Sequence, residues 1–216
     1  MNRKIILGIV LSALSLSTQA QTAYEKAMTS KIEGIEIPKK TDEYTALAND
    51  FVRIGDKEKT QWQPYYYAAF SLIQKGRTEM QKDTGKLDQI AEEAEKMIEK
   101  AEAISPNNAE LFLLRKMNYG MKMMVDPATR WMTDGQSAAK ALAEAKKLDP
   151  ENPRITILEA EDAYFTPEQF GGSKSRAKEL FSKALEQFKV YKLKNALDPN
   201  WGQGEAQYFL KQMEQK

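Results

Sequence analysis

The chain has 216 residues, 42% of them apolar, with 32 Lys plus Arg set against 31 Asp plus Glu. That length fills one continuous core, and the balanced charge gives no general pull toward nucleic-acid phosphates or anionic lipid. Cysteine and histidine are both absent, which excludes disulfides and a lipid anchor on cysteine and removes the commonest general base and zinc ligand; no cofactor and no metal is expected.

The first twenty residues carry the marks of a secretory signal peptide. Arg3 and Lys4 give a positive start, Ile5 to Leu16 are an apolar run, and Thr18-Gln19-Ala20 ends in small residues suited to cleavage before Gln21. The run is shorter than the ~20 apolar residues that a membrane span needs. The expectation is one domain over residues 21–216, periplasmic or secreted, with no transmembrane span after cleavage and no nucleic-acid partner.

Tyr24, Ala27 and Met28 open a short amphipathic stretch that ends near Gly34 and Pro38. Thr41 or Asp42 is placed to cap a second helix through Tyr44, Leu47, Ala48, Phe51 and Ile54. Pro64 then sits in the first turn of an aromatic helix, Trp62 to Gly76, with Arg77 to Lys86 as a polar loop. Its tyrosines and tryptophan read as core, or else as a sugar or peptide platform.

Leu87, Ile90, Ala91, Ala94, Met97, Ile98, Ala101 and Ile104 form the stripe of a further helix, closed by Ser105-Pro106-Asn107-Asn108. A Leu- and Met-rich helix runs from Ala109 to about Val125, and a loop after Asp126-Pro127 carries Arg130 and Trp131. Helices from Ser137 to Leu148, Ile155 to Phe165 and Arg176 to about Lys192 follow, the last capped by Ser173 or Ser175. Glu205 to Glu214 reads as a polar-faced terminal helix, and no stretch shows the period-two alternation of a strand.

One pattern recurs along these helices. Ala94, Ile98, Ala101 and Pro106 are matched 44 residues on by Ala138, Leu142, Ala145 and Pro150; Ala177, Phe181 and Ala184 form a third copy, and Leu47, Phe51 and Ile54 a weaker one. Alanines let two backbones approach, the large residue fills the gap, and proline ends the helix so that the chain can reverse. The pattern resembles the second helix of the tetratricopeptide repeat, a helix-turn-helix unit of ~34 residues, and the chain looks like the exported tetratricopeptide-type proteins of Gram-negative bacteria. In the first helix the family's small residue falls on Ala69 and Ala160 but on Lys116 in the middle repeat, a departure, while Tyr65 and Phe112 take its aromatic place.

The resemblance implies an all-α fold: a right-handed α-α superhelix of TPR-like hairpins with enlarged inter-helix turns and a C-terminal capping helix. From the small position of the first helix to the first Ala of the second, the three repeats take 25, 22 and 17 residues, each longer than a ~34-residue unit allows, so the insertions emerge along one edge. The same register puts Tyr66, Phe70, Leu113, Met117, Met121, Ile157, Glu161 and Tyr164 along a concave groove, and the inserted turns add Arg130, Trp131 and Phe170. Against these stand the simpler possibilities that the aromatic and Met residues are core and that the turns pack back over the helix ends.

The function expected is therefore a non-catalytic scaffold that binds an unidentified protein or peptide. The alternatives are a small-ligand carrier of the cell envelope, with the aromatic residues around a closed pocket, and a carboxylate-based enzyme using Glu159, Glu161 or Asp162. The enzyme is disfavoured because no nucleophile motif, phosphate loop or metal-ligand cluster accompanies those carboxylates, and Phe170-Gly171-Gly172-Ser173 is too short to cradle phosphate.

Overall fold

The computed structural model describes residues 23–35, 37 and 39–215; residues 1–20, where a signal peptide is expected, lie outside the described residues. Helix α1 covers residues 23–35. It is followed by α2 (Thr41–Glu58), α3 (Gln63–Met80), α4 (Leu87–Ile104), α5 (Ala109–Met123), α6 (Pro127–Arg130), α7 (Gln136–Leu148), α8 (Pro153–Phe165), α9 (Lys174–Val190) and α10 (Gln203–Glu214). Among the described residues there is no strand, and no helix is long and apolar enough to cross a membrane.

Helices α2 and α3 pack as an antiparallel pair, and α3 with α4, α5 with α7 and α8 with α9 also pack against one another. Thr41 Oγ1 donates to Glu79 at 2.6 Å at one end of the α2–α3 pair, and Tyr65 OH donates to Asp56 at 2.7 Å at the other. Most of the alanine pattern packs as expected: Ala94, Ile98, Ala101, Ala145, Ala177, Phe181 and Ala184 are all fully buried, whereas Leu142, the large residue of the second copy, is only partly buried against the core. In α2 the buried stripe is Tyr44, Ala48, Phe51 and Gly55, so the small residues fall one position on from the expected Leu47/Phe51/Ile54 register. The reason is Gly55, where a Cβ would stand 2.8 Å from the Tyr65 ring.

Helix ends follow the sequence cues closely. Asn108 accepts from the Glu110 amide, Asn152 from that of Arg154 with Pro153 in the first turn, and Ser173 from that of Arg176. Three places differ from expectation: α2 is preceded by Lys40 as its N-cap, so Thr41 and Asp42 lie inside the helix, and the Thr41 hydroxyl is turned to Glu79 instead of capping. Helix α3 runs through Gly76 to Met80 because Gly76 is a close-approach site, where a Cβ would overlap Met121 Sδ at 1.9 Å. The Arg130–Trp131 loop is helical, α6 passing through a five-residue π-helical segment, Trp131–Gly135, directly into α7.

Lys116, which departs from the small-residue pattern, has its own physical account. It is buried and its ammonium lies 2.6 Å from Asp162, bridging α5 to α8. An ion pair thus takes the place of close backbone contact between these two first helices.

Candidate functional site

The expected groove is occupied by the chain itself. Tyr66, Phe70, Leu113, Met117, Met121, Ile157 and Glu161 are buried, and the segment leading into α10 lies against several of them. The Trp201 ring stacks on Phe70 at 5.2 Å and its indole N–H donates to Tyr66 OH at 2.7 Å. Gly202, at φ +106°, sits so close to Ile157 that a Cβ would be 3.2 Å from its side chain. These seven residues are buried as core, so they are not an open docking surface.

The polar residues beside them are tied together. Arg77 donates to both oxygens of Glu161 at 3.1 and 3.0 Å and to Glu205 of α10 at 3.0 Å. Burial and the adjacent Glu161 charge push the Glu205 carboxyl up to about 8. Burial opposes ionisation of Glu161 as well, but the Arg77 charge, a hydrogen bond from Glu205 and the Lys116 charge together outweigh it and hold that carboxyl below its ordinary range. Glu161 is thereby committed to an ion pair.

The inserted turns behave differently from one another. Arg130 makes a bidentate pair with Asp88 at 2.6 and 2.8 Å and reaches the Lys122 carbonyl, bracing one insertion against the start of α4. Trp131 and its neighbour Met132 are exposed, as is Phe170 at 73%.

Around the third insertion lies an aromatic ledge, of which Tyr164 is the one residue expected to contact a partner. Phe209 of α10 lies at its centre, with ring centroids 4.9 Å from Tyr164, 5.6 Å from Phe165, 5.0 Å from Phe181 and 5.5 Å from Tyr208. Phe165 and Tyr208 are 64% and 58% exposed. A hollow of about 220 Å³ opens beside them, lined by Tyr164, Phe165, Pro167 and Lys174 among others. The Lys174 ammonium stands 3.2 Å over the Tyr164 ring and donates to the Tyr164 carbonyl at 2.5 Å.

Gly172 makes this turn possible, because a Cβ there would meet the Thr166 carbonyl oxygen at 1.7 Å. Flat apolar rings next to one cation are chemically suited to a planar, largely apolar ligand that carries negative charge. Among the described residues no group of three or more Asp or Glu is arranged to hold a metal ion. Tyr208 and Phe209 were missed because α10 reads as polar-faced; the adjacent aromatics in Gln207-Tyr208-Phe209-Leu210 were the available signal.

No protein-family model matches the chain, and no curated protein does. Among solved structures it is similar to the HusA haemophore from Porphyromonas gingivalis, with 32% identity over 90% of this chain and 94% of that chain and a TM-score of 0.76.

Proposed function

This chain belongs to the family of the HusA haemophore, and from that premise we propose that it is a non-catalytic ligand carrier of the cell envelope whose cargo is haem or a closely related porphyrin. The observation that carries the reading is the 32% identity to a haemophore over nearly the whole of both chains. The aromatic ledge supports it chemically. Phe165, Tyr208 and Phe209 offer faces on which a flat macrocycle can stack, and the Lys174 ammonium can pair with a peripheral carboxylate.

The chain has no histidine or cysteine to offer the iron, so its recognition rests on the macrocycle and its acidic side chains, with tyrosine and methionine as the remaining candidate iron ligands. The scaffold reading is weakened by the buried groove, since Tyr66, Phe70 and Ile157 are covered by the chain's own segment. A TPR-like superhelical course of the hairpins and export by way of residues 1–20 complete the proposal. Titration of the purified chain with haem, followed in the Soret band, tests it. Saturable spectral change supports the carrier, and an unaltered spectrum of free haem contradicts it.

A further inference from the structure

A second cleft lies at the opposite ends of the helices from the aromatic ledge. Helices α3, α5 and α8 begin there, the turns that follow α4 and α7 return there, and the segment after α9 crosses it. It encloses about 410 Å³, within the ~300–1,000 Å³ common for small-ligand sites. Trp62, Pro106, Leu148, Tyr191 and Leu193 give it apolar walls.

Its polar lining is unusually buried. Arg154 is 1% exposed and Gln63 3%. Arg154 turns its Nε and Nη2 to Glu110, at 2.6 to 3.1 Å, and Asn152 supplies Glu110 with another donor at 2.6 Å. That pairing uses one edge of the guanidinium and leaves Nη1, on the other side, buried without an acceptor. Gln63 donates through Nε2 to Asp198 at 3.0 Å, which fixes its amide orientation because a carboxylate only accepts, and its Oε1 is buried without a donor. Leaving such groups unmet costs ~1–3 kcal/mol each.

The missing complement is one acceptor and one N–H donor. Charge narrows the choice further: Glu110, Asp149 and Asp198 face only Arg154 and Lys194 in this lining, so an anion would meet net repulsion. The capping asparagines Asn108 and Asn152 already satisfy first-turn amides of α5 and α8, so the helix ends are not the attraction. We propose that this cleft is a second ligand site, which takes a short uncharged peptide segment: a peptide carbonyl accepts from Arg154 Nη1, a peptide N–H donates to Gln63 Oε1, and an apolar side chain lies against Trp62 and Tyr191.

The test uses the full ¹⁵N-labelled chain and the blocked tripeptide acetyl-Gly-Leu-Gly-amide, read at the Trp62 indole and Gln63 side-chain amide signals. Saturable shifts at both are expected, at least tenfold weaker binding for the same peptide with a free carboxylate, and none for glucose. Gln63→Leu and Tyr191→Ala, each confirmed folded by its melting curve, should both weaken binding at least fivefold. Haem titration should be unchanged in Gln63→Leu, so the outcome here is separate from that of the carrier reading. No shift at millimolar peptide, shifts insensitive to both variants, or glucose binding in the peptide's place would overturn the proposal; the first would mean that ordered water alone meets the two orphan groups.

Discussion

The Trp201 indole donates to the Tyr66 hydroxyl at 2.7 Å, joining residues 135 apart in the chain, while its ring lies 5.2 Å from that of Phe70. The C-terminal segment is therefore an integral part of the core. Trp201→Ala should cost about 3–5 kcal/mol of stability in urea denaturation, as for other buried aromatics. Trp201→Phe keeps a ring against Phe70 and loses one hydrogen bond, at about 1 kcal/mol. Equal costs for the two variants would mean that the ring contact contributes little.

Glu205 gives stability a pH dependence of definite sign. Its folded-state carboxyl is pushed up to about 8 by burial and the Glu161 charge, so the folded chain holds a proton that the unfolded chain has released above the ordinary glutamate range. This contribution is fully present below that range and is lost as pH rises toward about 8. Glu161, held low beside Arg77, acts oppositely, contributing above the ordinary range and fading only in acid. Glu205→Gln keeps a neutral group beside Arg77, so its stability relative to wild type should improve as pH rises from about 5 to about 8. Urea midpoints across that interval check this; a constant difference contradicts it.

Ala145 is fully buried in α7, at the position where the alanine pattern requires close helix approach. Ala145→Leu should overpack that contact and destabilise by about 1–3 kcal/mol. Thermal unfolding of the variant is the measurement, and a change within error of zero would contradict the packing role of the pattern.

The helices were legible because their signals are local. Ala94, Ala101, Ala145 and Ala184 mark close approaches at helical spacing, and Asn108, Asn152 and Ser173 mark starts. That Tyr66, Phe70 and Ile157 would be covered by the chain itself was not legible. The partners Trp201 and Glu205 lie 135 and 128 residues from Tyr66 and Arg77, and helical periodicity carries no information about pairing at such distance. Arg154 illustrates the same limit: a charge in a first helical turn reads as solvated, yet Glu110, 44 residues away, lets it be buried.

Haem titration of Phe165→Ala/Lys174→Ala beside the unaltered chain is the most direct test of the carrier site. Phe165 is 64% exposed, so melting should change little, by within about 1 kcal/mol. Losing one stacking face and one carboxylate partner should weaken haem binding by about tenfold, on the basis of ~0.5–1.5 kcal/mol for an aromatic contact plus an exposed charge pair. Saturable binding by the unaltered chain with that loss in the folded double variant is the predicted result. Equal affinity in the two proteins would contradict the placement of the site on this ledge, and no binding by the unaltered chain would contradict the carrier itself.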